Sequence, residues 1–362
     1  MKYRWLVNIV RILIVTFILL LAFWLIYGQD WYDNYKNSHK PVGDHAPISL
    51  STWVVDWDFD ASTEDMKQLY NKWSSIQLFL GYFDEQDQII WNDDLQALIT
   101  KTRAQLSTDK QESTTPLYLT IVNDIVKQDG SSVQKDEGLV ERIIATPESQ
   151  YTYIEHLIRL VQDNNLDGLE MDFENISSEK WPQLVAFYEM LYRRLASENI
   201  PLRIVLEPKV DFAQLEFPDG PQYVVMAYNL YGFHSDAGPK ADRSFLGKLT
   251  ARMESIPGDA TVAIATGGFD WDQNGLAKAL TEEEATQLLL SATSGTVRRD
   301  EASGAQTFNY ADDQGNNHTV WFADAETLRY WIEIIQQRGY SSIAIWRMGN
   351  ISDQSLTMLK EL

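Results

Sequence analysis

The sequence predicts an α/β fold, a (β/α)8 TIM barrel, with a small insertion between strand 7 and helix 7 and one transmembrane helix ahead of it. Three observations predict it. Eight short apolar runs of strand character recur between residues 48 and 347, with amphipathic stretches between them. No glycine-rich phosphate loop follows any run, which argues against a doubly wound open sheet. A single long apolar run, ILIVTFILLLAFWLIY, stands ahead of all of them.

That first run has a basic flank, Lys2, Arg4 and Arg11, and an acidic one, Asp30 and Asp33. Basic flanks stay in the cytoplasm, so residues 1–11 are expected as a cytoplasmic tail and 12–28 as the anchor. No small-x-small cleavage site follows in FWLIYGQDWYD, so the anchor is expected to be retained. Residues 29–46, polar and carrying Pro and Gly breakers, read as an extracellular linker. Residues 47–362 then form the barrel outside the membrane, with a bacterial surface as the expected location. The chain has no cysteine, which excludes disulfides, thiolate chemistry and a lipoprotein anchor.

Taken in order, strands are expected at 48–57, 75–83, 116–123, 166–174, 202–207, 222–229, 260–266 and 341–347. Helical spacing of apolar residues marks TEDMKQLYNKW, ESQYTYIEHLIRLVQDNN, WPQLVAFYEMLYRRLASEN and AETLRYWIEIIQQRG between them. The rhythm breaks longest at 267–323. There TEEEATQLLLSATSG reads as a helix, and TVRRDEASGAQTFNYADDQGNNHTVWF reads as a hairpin.

The net charge of −22 excludes nucleic acid as a partner, because phosphates demand a basic surface. The five histidines show no ligand spacing, so neither a metal nor a cofactor is implied, and His234 and His318 read as surface residues.

Chemistry gathers in LDGLEMDFEN, residues 166–175. Alternation puts Leu169, Met171 and Phe173 on one face and Glu170, Asp172 and Glu174 on the other. In a barrel the row climbs toward the C-terminal mouth, with Glu174 at the top. Acids at strand ends also cap helices or pair with arginine. Inside a barrel, though, a graded row lets an inner acid share a proton with Asp172 and lets Asp172 orient Glu174, so that Glu174 donates a proton near neutral pH.

Asp167–Glu174, DGLEMDFE, resembles the DGxDxDxE signature of glycoside hydrolase family 18, the chitinase and endo-N-acetylglucosaminidase barrels. VVMAYN resembles the family's sixth strand with its tyrosine at Tyr228, and IAIWRMG resembles its eighth strand ending in a tryptophan, Trp346. VWFADAETLRYWIEIIQQRGYSSIAIWRMGN is similar to the branch of bacterial cell-wall and spore-cortex N-acetylglucosaminidases. The resemblance runs from about Ser49 to Asp353. It implies Glu174 as acid and base, with Asp172 and Tyr228 holding the substrate's 2-acetamido group, which serves as the nucleophile. Two positions depart from the pattern: Glu170 replaces an Asp, and Asn229 replaces an Asp after the tyrosine.

Further substrate contacts are expected from Glu170, Asn229 and Trp346. Trp57 beside Asp56, and Tyr82 beside Asp84, end the first two strands; core packing or solubility explains them equally well. Glu207 ends the fifth strand, in reach of substrate or of Lys209, and TGGFDWD offers Trp271 as a wall or its glycines as a mere turn. The resulting expectation is a membrane-anchored extracellular retaining glycosidase that cleaves β-1,4-linked N-acetylglucosamine in peptidoglycan, chitin-like glycans or a surface polysaccharide. The alternative is a non-catalytic glycan-binding barrel; the presence of Glu174 favours the enzyme.

Overall fold

The computed structural model describes residues 46–107, 114–292 and 296–362. The expected tail, anchor and nearly all of the linker lie outside these residues. Among the described residues no helix is long and apolar enough to cross a membrane. Residues 47–362 form one compact unit.

Eight parallel strands close into a barrel: β1 (Ser49–Val55), β2 (Trp73–Phe83), β3 (Leu117–Val126), β5 (Gly168–Asp172), β6 (Leu202–Leu206), β7 (Gln222–Met226), β8 (Thr261–Ala265) and β14 (Ser342–Trp346). A two-residue strand, β4 (Ser132–Val133), folds back antiparallel on β3. The barrel order is β2-β1-β14-β8-β7-β6-β5-β3, and pairing of β3 with β2 closes the ring. All eight sequence-predicted strands appear in order, most of them a residue or two shorter at the ends.

Two-residue alternation builds two separate cores. Leu169, Met171 and Phe173 of the β5 segment face outward into the large core beneath the helices. Trp53, Val55, Phe79, Val122, Val205, Val224, Met226 and Ala263 face inward and fill the upper barrel. The lower interior is polar. Register sets Thr120, Glu170 and Arg203 side by side on β3, β5 and β6.

Helices α1 (Phe59–Gln68), α2 (Asp93–Leu106), α3 (Glu137–Ile144), α4 (Pro147–Asp163), α5 (Trp181–Ser197) and α6 (Arg243–Met253) cover the barrel, with α7 (Glu282–Ser291) in the insertion and α8 (Ala325–Gln337) and α9 (Asp353–Glu361) completing the set. Local chemistry starts several of them. The Thr146 side chain accepts from Ser149 N in a capping box ahead of α4, and Asp324 accepts from Thr327 N ahead of α8.

One crossover departs from the expected repeat. Between β6 and β7 stands only a 3-10 turn, Phe212–Gln214. Pro208, Pro218 and Pro221 interrupt this stretch and remove the backbone donors a helix needs. Aromatic packing of Phe212 on Phe217 and of Phe217 on Tyr223 covers the sheet there instead.

The excursion between β8 and α8 is larger in strand content than the sequence suggests. It forms a five-stranded antiparallel sheet, β10-β9-β13-β12-β11, built from β9 (Gly267–Asp272), β10 (Ala277–Leu280), β11 (Arg298–Arg299), β12 (Gln306–Ala311) and β13 (Asn317–Ala323). The expected hairpin is β12–β13. GGFDWD is a strand rather than a turn, because its glycines let β13 approach: a Cβ on Gly268 would stand 1.9 Å from the Trp321 carbonyl oxygen. The buried Glu282 of α7 accepts hydrogen bonds from the Ser352 and Ser355 hydroxyls at 2.6 and 2.8 Å and fastens the insertion to α9.

Candidate active site

A cleft of about 720 Å³ opens at the C-terminal mouth of the barrel. Asp172, Glu174, Tyr228, Asn229, Trp346, Trp57 and Tyr82 all line it. Seven of the nine expected site residues are thus brought together. Glu170 and Glu207 are not among them.

Glu170 corrects an expectation. Its side chain is fully buried below the cleft, where it pairs with Arg203 (Nε to Oε2, 2.8 Å). The Trp53 indole N–H and the Thr120 hydroxyl donate to its other oxygen at 2.7 and 2.8 Å. With both oxygens engaged, Glu170 neither contacts a ligand in the cleft nor hydrogen-bonds Asp172. The extra methylene relative to aspartate reaches across to Arg203, its register partner on the next strand. The lone arginine in LRIVLE, one strand after the acid row, was the sequence signal for this pair.

Glu207 binds protein rather than cleft. The Asn175 backbone N–H donates to it at 2.7 Å, and Lys209 lies 3.2 Å from its other oxygen. Trp271 is likewise withdrawn, being buried with its indole N–H donating to the Ser235 carbonyl at 3.1 Å.

Asp172 ends β5 inside the mouth and is 5% exposed. Its Oδ1 has no hydrogen-bond partner among the described residues. Burial pushes this carboxyl well above the usual carboxylate range, and the charges of Glu174 and Glu170 push it the same way. Glu174 stands two residues further up. Asn123 on β3 fixes its backbone from both sides: Glu174 N–H donates to Asn123 Oδ1 at 2.9 Å, and Asn123 Nδ2 donates to the Glu174 carbonyl at 3.0 Å. The Glu174 carboxylate forms an ion pair with the Lys135 ammonium. Burial raises the pKa of Glu174, Lys135 opposes the rise, and the net shift is upward. Lys135 and Asn123 were both missed in the sequence, since neither stands in a motif.

Tyr228 is 6% exposed at the head of β7. Burial holds its phenol well above the ordinary value, and the charge of Asp172 adds to this. Asn229 follows in the left-handed region, φ 60°, a conformation asparagine tolerates better than most residues. Trp346 floors the cleft, edge-on to Trp53 and Phe79 at 5.7 and 5.2 Å between ring centroids, and its peptide bond to Arg347 is cis. Trp57, 58% exposed, stands over the rim with the Arg347 guanidinium 5.8 Å from its ring. The Tyr82 hydroxyl donates to Asp56 at 3.0 Å.

Such an arrangement has definite chemical capacity. Two carboxyls in a water-poor recess, both pushed upward, hold protons at pH values where free acids are ionised. A phenol donor beside them and an indole floor suit a sugar ring with a polar substituent.

Known proteins resemble this chain in sequence and in fold. The model of the family "Glycosyl hydrolases family 18" matches residues 134–350, more than half of the chain. Among curated proteins the chain is similar to the uncharacterized glycosylase YvbX of Bacillus subtilis, 21% identical over 234 residues, covering 60% of this chain and 67% of that protein. Against the cortical fragment-lytic enzyme of Bacillus cereus it is 24% identical over 230 residues, or 59% of this chain and 53% of the relative. The chain therefore spans between about half and two thirds of the length of these relatives. Among solved structures, the spore cortex-lytic enzyme SleL of Bacillus cereus superposes with a TM-score of 0.73 at 18% identity, covering 89% of this chain and 75% of that one. With a family model that matches from just after β4 to beyond β14, the chain belongs to family 18 of the glycosyl hydrolases.

Proposed function

We propose that the chain is a retaining glycosidase that cleaves β-1,4-linked N-acetylglucosamine glycans with the substrate's own acetamido group as nucleophile. One observation carries this reading: Glu174, Asp172, Tyr228 and Trp346 line a single cleft at the barrel mouth. The raised pKa of Glu174 suits it to protonate the glycosidic oxygen as the bond to the anomeric carbon breaks. The acetamido carbonyl oxygen attacks that carbon and forms a five-membered oxazolinium ring. Asp172 and the Tyr228 hydroxyl hold the acetamido group and stabilise the charge that develops on it. Glu174, now ionised, takes a proton from the water that opens the ring, and the anomeric configuration is retained. Trp346 provides the apolar floor for the reacting sugar.

The location belongs to the same proposal. Residues 12–28, with Lys2, Arg4 and Arg11 before them, anchor the chain and place the barrel on the outer side of a bacterial membrane. Peptidoglycan or a surface polysaccharide is then the nearest glycan. The similarity to a cortical fragment-lytic enzyme supports that choice over chitin.

The test is incubation of the full chain with purified peptidoglycan and with N-acetylglucosamine oligomers, followed by mass analysis of the products. Cleavage at N-acetylglucosamine linkages is expected. Glu174→Gln should lower kcat by roughly 10²–10⁴-fold with sugar binding retained. Undiminished cleavage in that variant overturns the assignment of the acid. Binding without cleavage by the native chain returns the glycan-binding alternative.

A further inference from the structure

The ion pair between Lys135 and Glu174 is at odds with the work of an acid. A general acid must carry a proton, whereas an ammonium against its carboxylate favours the ionised form. The pair therefore restrains the rise that burial gives Glu174, and drawing the ammonium off lets that rise grow.

Lys135 is built to be drawn off. Its backbone is fixed, with φ 56° and its N–H donating to Asp124 Oδ1 at 2.8 Å. Its side chain is 43% exposed at the cleft edge and ends in a compact charge on a flexible stem. The carboxylates facing this ammonium are Glu174 and Asp172 on the β5 segment, Glu207 after β6 and Asp124 on β3. Asp124 already receives the backbone N–H of Lys135, and Glu207 is held by Asn175 and Lys209. Arg347 is the second basic residue lining the cleft among the described residues, and it is tied to Asp58 at 2.7 Å. Lys135 is thus the exchangeable cation of the cleft.

We propose that the sugar on the leaving-group side carries a carboxylate, and that Lys135 receives this carboxylate and releases Glu174 as it does so. This rests on the glycosidase reading above, in which Glu174 stands over the bond to the leaving sugar. Charge balances: the ammonium exchanges one carboxylate for another, and Glu174 takes up one proton from solvent. A neutral N-acetylglucosamine unit offers only hydroxyls and an amide, which leave the ammonium on the acid. The carboxylate has two chemical sources, the lactyl ether of a peptidoglycan sugar or the acid of a uronate.

The experiment measures kcat/KM of the full chain on two probes. One is peptide-free peptidoglycan strands; the other is oligomers of alternating N-acetylglucosamine and glucuronic acid. Each is compared with its own carboxyl-amidated form. The free carboxylate is expected to be preferred on the order of tenfold or more on one of the probes, and which one identifies the source. Lys135→Met should bring that ratio close to one, and Lys135→Arg should keep most of it. A wild-type ratio near one on both probes, or a ratio unchanged in Lys135→Met, overturns the proposal. In that event cleavage of neutral oligomers leaves the glycosidase reading standing. If no probe and no neutral oligomer is cut, both fall.

Discussion

Replacing Arg203 with methionine tests whether the buried pair beneath the cleft holds the barrel together. Arg203 is 1% exposed and Glu170 0% exposed, with 2.8 Å between them. Removing one partner from such a pair costs about 3–5 kcal/mol, because the other charge is left in a dry interior. Here Glu170 keeps two donors, Trp53 and Thr120, which places the expected loss at the lower end, about 3 kcal/mol. Methionine fills most of the volume of the arginine stem, so little of the loss is cavity. At about 2 °C per kcal/mol for a domain of this size, the melting temperature should fall by roughly 6 °C. Urea unfolding gives the free energy directly, provided the slope m is unchanged. Adding Glu170→Gln should recover about 2 kcal/mol, since the stranded charge is gone and the amide oxygen still accepts from Trp53 and Thr120. If Arg203→Met unfolds within about 1 kcal/mol of wild type, or if the second substitution recovers nothing, the pair does not carry this weight.

Two other changes probe the mouth and the insertion. Asp172→Asn should lower kcat/KM by roughly 10²–10³-fold and yet stabilise the fold at neutral pH. The sign follows from the raised pKa of Asp172: its favourable contribution is complete below the unfolded value near 4 and is lost as pH rises through the folded value. The melting temperature of the variant minus that of wild type should therefore grow with pH, and a difference that shrinks with pH refutes the reasoning. Gly268→Ala places a Cβ 1.9 Å from the Trp321 carbonyl and 2.6 Å from Phe322 Cα, both backbone atoms that cannot step aside. A cost of about 3 kcal/mol is expected, with new proteolytic cuts confined to 267–323; an unchanged digest would show that the two strands separate without consequence.

The barrel was legible because closed parallel sheets repeat one pattern eight times, and period-two alternation survives even where strand ends are trimmed. Asp172 and Glu174 were legible for the same reason, standing on a strand whose other face is greasy. What escaped detection depends on proximity in space. Lys135 sits in the polar stretch SSVQKDEG and touches Glu174 only because β3 and β5 are neighbours. Glu170 reads as a charge facing the cleft until the register sets Arg203 beside it. Trp271 was offered as a wall because a strand and a turn look alike in GGFDWD; antiparallel pairing with both β10 and β13 turned it inward.

The insertion enters the barrel wall at Gly267 and leaves it at Ala323, and these two residues are direct partners across β9 and β13. For the barrel the whole excursion is therefore equivalent to a short bridge, since its two ends meet regardless of what lies between. Lengthening or trimming the far end alters loop entropy only slowly and pulls on no barrel strand. The same excursion lends Ala279 of β10 to the cleft wall. One side of the cleft is thus free to be resculpted through a replaceable panel, while β5, which ends in Asp172, keeps its register.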